Sequence, residues 1–131
     1  MNGENYLFVY GTLRNGYNLK LKDKVMSDLE YVGKAKVDAS LYDLGEYPGA
    51  IKENNSNEVI GDVFLISNPE RVFKILDKYE GNEFNREKDR VVLRSGKSLD
   101  AWIYWYNQKP EKALKIRQKN YLNYLKSKKT A

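Results

Sequence analysis

The stretch Tyr6-Leu7-Phe8-Val9-Tyr10-Gly11-Thr12-Leu13-Arg14-Asn15-Gly16 decides how the rest of the chain is read. Its large apolar and aromatic residues run from Tyr6 to Tyr10 and break at Gly11, the pattern of a buried strand that ends in a tight turn. The loop that follows has glycine at both ends. Its backbone is free to adopt positive φ, and its N–H groups are free to converge on an anionic ligand atom. A strand-to-loop connection that needs glycine for geometry alone is the plainer reading of the same residues. A P-loop is not an option: Gly11 and Gly16 have the required spacing, but Tyr17 and Asn18 stand where Lys and Ser/Thr must hold phosphate and magnesium.

Outward from this strand, the chain of 131 residues has the length of one domain, with residues 1–131 expected to share one core. It has no cysteine and no histidine, so disulfides, thiolate chemistry, Cys/His metal centres and nucleophile–histidine arrangements are all excluded. Any acid–base work falls to Asp, Glu, Tyr or Lys. The N-terminal residues show no signal-peptide pattern, and no run reaches the ~18 apolar residues of a membrane span, so we expect a cytoplasmic chain without a membrane partner. The net charge of +5 is concentrated near the C-terminus, where Lys109, Lys112, Lys115, Arg117, Lys119, Lys126, Lys128 and Lys129 face one carboxylate, Glu111. A basic segment of this kind reads as a solvated face, and we expect no specific nucleic-acid partner.

Residues 18–29 suit an irregular or short helix, and residues 35–44 a strand. Pro48-Gly49 marks a turn that presents Tyr47, and residues 53–58 are polar enough for an exposed loop. Val59 to Ile66 is a strongly apolar strand in which Gly61 permits a bulge or the close approach of another backbone. Ser67-Asn68-Pro69-Glu70 gives a capped helix start, with the helix running from Glu70 to about Tyr79. Val72, Phe73, Leu76 and Tyr79 form its apolar face. A hairpin follows, from Asp89–Arg94 through Ser95–Ser98 to Leu99–Tyr106, its second strand buried on both sides. Pro110 opens a last helix carrying Leu114, Tyr121, Tyr124 and Leu125.

Glu80 stands out. It lies four residues after Leu76 and seven after Phe73, so a helix that persists to its end points this carboxylate along the apolar stripe. A carboxylate there opposes the helix dipole and loses hydration, which makes Glu80 a candidate general base. If the helix frays first, the same side chain lies in solvent. Glu83 lies on the following loop, and no periodicity aims it inward.

In this order and spacing, Phe8-Val9-Tyr10-Gly11-Thr12-Leu13-Arg14 with Gly16, Tyr47-Pro48-Gly49-Ala50, Gly61-Asp62-Val63-Phe64, and Leu76-Asp77-Lys78-Tyr79-Glu80-Gly81 followed by Phe84-Asn85-Arg86 resemble the gamma-glutamylcyclotransferase-like family, including the gamma-glutamylamine cyclotransferases and AIG2-like proteins. The resemblance spans residues 8–106. It implies an α+β fold, a small mixed β-barrel flanked by helices, with a cavity lined by Tyr10, Gly11, Thr12 and Leu13 as the substrate-binding loop and Glu80 as the catalytic residue. The implied activity is cyclisation of a γ-glutamyl amide to 5-oxoproline with release of the amine, using a small-molecule substrate, no cofactor and no metal. Relatives commonly carry Tyr-x-Arg after the glutamate, whereas Phe84-Asn85-Arg86 stands here, so the role of that phenol is lost at this position. A non-catalytic small-molecule-binding or regulatory module of the same fold is the alternative. A glycosidase would need a second carboxylate facing Glu80, and the sequence nominates none.

Overall fold

The computed structural model describes residues 4–10, 23, 25–44, 48–52, 57–108, 114–116, 119, 121, 123 and 124. Its elements in chain order are β1 (Asn5–Val9), a short 3-10 turn (Met26–Asp28), β2 (Leu29–Asp43), β3 (Pro48–Lys52), β4 (Glu58–Ile66), α1 (Pro69–Glu80), β5 (Phe84–Leu93), β6 (Ser98–Tyr106) and β7 (Leu114–Ile116). Strand β2 pairs with β4, β4 with β1, β1 with β6, β6 with β5, and β5 returns to β2, which closes a barrel. The β1–β6 pairing is parallel, at Leu7 and Trp102, and the other pairings are antiparallel. This is a mixed β-barrel with helical flanks, the α+β architecture expected.

Strand alternation divides the apolar side chains between two cores. Phe8, Val37, Val59, Val63, Val91, Ala101, Ile103 and Trp105 fill the barrel. Leu7, Val9, Phe84 and Tyr104 point the other way and pack under Val72, Phe73 and Leu76 of α1. Strand β6 is therefore buried on both sides, which is why Leu99 to Tyr106 contains so few polar residues. At Gly61 the close approach is real. A Cβ there would lie 2.4 Å from the carbonyl oxygen of Val9 and 2.7 Å from the Phe8 ring. The register irregularity sits elsewhere, in β2 between Tyr31 and Gly33.

Several boundaries differ from the sequence expectation. Strand β2 begins at Leu29, because residues 29–34 pair with β4 although their side chains are largely solvent-facing and show no apolar alternation. Pro48-Gly49 opens β3 instead of forming a turn; proline is tolerated at a strand's first residue, and a Cβ on Gly49 would meet Leu44 at 2.7 Å and Tyr106 at 3.0 Å. Asn68 precedes α1 at φ 52° and makes no side-chain cap; its carbonyl accepts from the N–H of Val72 instead. Strand β5 starts at Phe84, five residues earlier than expected, since Phe84–Lys88 continue the ladder with β6. Leu114 belongs to a strand, not a helix, because Leu114–Ile116 pair with the edge of β2 at Leu41–Asp43. Helical backbone is described farther on, at Tyr121, Asn123 and Tyr124. Pro110, Leu125 and most of the basic C-terminal residues lie outside the described residues.

Candidate active site

Helix α1 carries Glu80 as its last residue. The stripe made by Val72, Phe73 and Leu76 is buried against the barrel, and at about 100° per residue Glu80 lies nearer to the middle of that stripe than Tyr79 does. Tyr79 is accordingly 45% exposed, contrary to its expected place on the apolar face, while Glu80 turns inward and is only partly exposed. Gly81 ends the helix at φ 77°, a conformation that favours glycine, with its N–H donating to the carbonyl of Asp77 at 3.0 Å. The carboxylate is thus held on the helix and does not fray into solvent. Burial pushes its pKa up to about 7. Glu83 is exposed.

Tyr10 follows directly on β1, in the barrel core. Its phenol donates to the carbonyl oxygen of Tyr104 on β6 at 2.7 Å and accepts from the Ala50 N–H of β3 at 3.1 Å. Burial pushes its pKa upward, and the negative charge of Glu80 adds to that effect. The structure therefore brings Tyr10 and Glu80 to one corner of the barrel. Gly11, Thr12 and Leu13 lie outside the described residues. Because the Tyr10 phenol is committed to main-chain groups of two strands, it fixes the point from which that loop departs. Tyr10→Phe leaves a buried N–H and a buried carbonyl without this partner, and we expect it to cost about 2 to 4 kcal/mol in urea denaturation.

Three further side chains converge here, none nominated from the sequence for a role of its own. Arg86 of β5 donates from Nε to Oδ1 of Asp77 at 2.9 Å and from its terminal nitrogen to Oδ2 at 3.2 Å. The Tyr104 hydroxyl donates to Oδ1 of the same carboxylate at 2.6 Å. Burial acts to raise the Asp77 pKa, but the bonds from Arg86 and Tyr104 outweigh it and hold the group below the usual carboxylate range. The Arg86 guanidinium lies 3.9 Å from the centre of the Phe73 ring and 4.7 Å from that of Trp102, so α1 and β6 both grip it. Register explains the omission: Arg86 and Tyr104 are directly paired across β5 and β6, a proximity that 17 intervening positions conceal. The available signal was Asp77, which stands one turn before Glu80 on the same side of the helix. Phe84 packs its ring against Tyr106, its cross-strand partner, at 5.6 Å.

Among the described residues, no group of three acidic side chains is placed to hold a metal ion, and no helix is long and apolar enough to cross a membrane. The candidate site consists of a partly buried carboxyl at a helix end, near the strand that leads into the glycine-bounded segment of the sequence.

Comparison with known proteins agrees with this fold. Residues 7–123 match the family described as gamma-glutamyl cyclotransferase, AIG2-like. The chain is 32% identical over 111 residues to the gamma-glutamylcyclotransferase family protein YtfP of Escherichia coli strain K12, covering 84% of this chain and 88% of the relative. It is 36% identical over 112 residues to the gamma-L-glutamyl-butirosin B gamma-glutamyl cyclotransferase of Niallia circulans, covering 78% of this chain and 67% of that protein. The fold is similar to the crystal structure of an AIG2-like protein from mouse, with a TM-score of 0.68 at 20% identity over 84% of this chain and 82% of the other. It is also similar to the solution structure of Escherichia coli YtfP, with a TM-score of 0.63 at 27% identity over 91% and 97% of the two chains. Barrel, loop-bearing strand and inward-turned glutamate thus coincide with a family match over most of the sequence, and the chain belongs to the gamma-glutamyl cyclotransferase, AIG2-like family.

Proposed function

We propose that this protein cyclises a γ-glutamyl amide to 5-oxoproline and releases the amine, with Glu80 as general acid and base and the segment from Tyr10 to Leu13 as the substrate-binding loop. The observation that carries the reading is the Glu80 carboxyl, partly buried at the end of α1 and with its pKa raised to about 7 by burial. Such a group is partly ionised at neutral pH, so it can take a proton and return it within one turnover.

The reaction needs no external nucleophile. The substrate's α-ammonium gives a proton to Glu80, and the freed amine attacks the side-chain carbonyl carbon to close a five-membered ring. The tetrahedral intermediate then breaks its C–N bond as Glu80 returns its proton to the leaving nitrogen, and the second proton shed by the ring nitrogen is taken up by the released amine, which departs as an ammonium ion and leaves the lactam with a single N–H. Folding the substrate back on itself is most of the task, and N–H groups of Gly11, Thr12 and Leu13 serve to hold its carboxylate or the developing oxyanion. The scheme uses no cofactor.

The test is 5-oxoproline release across a panel of γ-glutamyl amines, γ-glutamyl amino acids and glutathione fragments. Turnover of at least one class is expected. Binding of γ-glutamyl compounds without release of lactam from any of them would instead identify a small-molecule-binding module.

A further inference from the structure

Tyr104 works in two directions. Its main-chain carbonyl accepts the Tyr10 phenol, and its side-chain hydroxyl donates to Asp77, one helical turn before Glu80. A single residue of β6 thereby ties the end of β1 to the last turn of α1. Arg86 completes the link from β5, with a two-pronged pairing to Asp77 and a guanidinium packed against Phe73 and Trp102. We infer that Asp77, Arg86 and Tyr104 form a positioning set that fixes the Glu80 carboxylate relative to the substrate loop and balances the charge around it. The catalytic part of this inference rests on the reaction proposed above; the electrostatic part does not.

The physical case starts from Asp77 itself. A second carboxylate on the same side of the helix, one turn from Glu80, opposes ionisation of Glu80 unless its charge is matched. Arg86 matches it, with a two-pronged pairing to both Asp77 oxygens. A free cation at this corner would do the opposite damage, by holding Glu80 ionised and unable to protonate a leaving amine. The hydroxyl beside Arg86 comes from Tyr104, its directly paired neighbour across the ladder.

The other ionisable groups carried toward this corner are few among the described residues. Tyr10 faces it from β1, and burial and the charge of Glu80 keep its phenol protonated. On β5, Lys88 is set over the Trp102 ring at 5.2 Å. Lys52 of β3 is engaged by Asp89 at 2.9 Å and Glu87 at 3.4 Å. Glu83 is exposed. Burial is the cause of the raised Glu80 pKa, which fits an Asp77–Arg86 pair whose opposing charges cancel at that corner.

The experiment is a carboxyl-carbon NMR titration of the full chain without substrate, with the Glu80 resonance assigned by its loss in Glu80→Gln. Asp77→Asn exposes Glu80 to the unmatched Arg86 and should lower its midpoint by roughly 0.3 to 1 pH unit, a modest figure because Asp77 is solvent-screened. Arg86→Gln leaves Asp77 unmatched and should raise the midpoint by about as much. Opposite movements support the set; unmoved midpoints, or movement in one direction in both variants, overturn it. If Arg86→Gln does not fold, Asp77→Asn decides alone, since the Asp77 side chain is 47% exposed and tolerates the isosteric change.

Tyr104→Phe supplies the positioning readout. It should lower kcat by roughly 3- to 30-fold with KM within about twofold, since the reacting groups lose alignment and the binding loop is retained. A purely structural tyrosine would lower the melting temperature and leave kcat unchanged, which would overturn the positioning role. If the wild-type protein turns over no γ-glutamyl compound, the proposed reaction fails while the titration still judges the charge balance. If the wild type is active and none of these variants moves the titration or kcat, the set fails and the reaction stands.

Discussion

Glu80→Gln should lower 5-oxoproline formation by roughly 10² to 10⁴-fold while the protein becomes more stable at alkaline pH. The amide keeps the size of the side chain but cannot accept the α-ammonium proton, so the effect falls on the chemical step. The stability change follows from linkage. Burial raises the carboxyl from its ordinary 4.5 to about 7, so between these values the folded protein retains a proton that the unfolded chain has released. Stability contributed by this group is therefore complete below the lower value and declines as pH rises through the upper one. At pH 8 the glutamine variant should exceed wild type by on the order of 1 to 3 kcal/mol, with the difference shrinking toward pH 5. Thermal or urea denaturation at the two pH values, with a lactam assay on the same preparations, checks both halves. A structural ion-pair partner would behave in the reverse manner, losing stability on neutralisation at all pH values above its titration and leaving activity intact. A wild-type rate in Glu80→Gln would remove Glu80 from the mechanism and make Glu83 the next carboxylate to replace.

Gly61→Ala should destabilise the fold by about 3 kcal/mol or more, because its new methyl has nowhere to go. The position of that methyl is 2.4 Å from a main-chain oxygen, Val9 O, and the neighbouring Phe8 ring blocks the second direction. Backbone cannot swing aside as a flexible side chain would, so β1 and β4 must separate where they pair at Val9 and Asp62. Tyr10 is the next residue of β1, so the displacement reaches the site as well, and the surviving folded fraction should show weakened binding of γ-glutamyl ligands. Gly96→Ala is the matched control. Its φ is +95°, and a Cβ there meets nothing within 4 Å, so that substitution should cost only the local backbone strain, about 1 kcal/mol. Equal denaturation midpoints for the two variants would show that the close approach at Gly61 relaxes without cost.

Sequence and structure divide the fold between them in a consistent way. Strong apolar patterning was sufficient where burial itself makes the element: the stripe of α1 through Val72, Phe73 and Leu76, the apolar run of β4, and the doubly buried β6 all stand where their patterns put them. Periodicity failed where pairing, not burial, makes the structure. Residues 30–34 are largely solvent-facing and in a strand, held by the ladder with β4, and Leu114–Ile116 form a strand because β2 offers an edge at Leu41–Asp43. A short apolar alternation cannot report that a partner edge exists elsewhere in the chain.

For the candidate site, the sequence by itself determined that any acid–base work falls to carboxylates, phenols or lysine amines, since cysteine and histidine are absent, and that Glu80 shares a helical face with Phe73 and Leu76. Those are local facts, set by composition and by a period of about 3.6 residues. Only the tertiary structure decided that Glu80 remains on the helix with its pKa raised, that the Tyr10 phenol joins β3 to β6, and that Arg86 and Tyr104 close on Asp77 from neighbouring strands. Desolvation depends on what covers a group, and an ion pair depends on register between strands distant in sequence. Both are properties of the closed barrel, and neither is carried by any stretch of the chain taken alone.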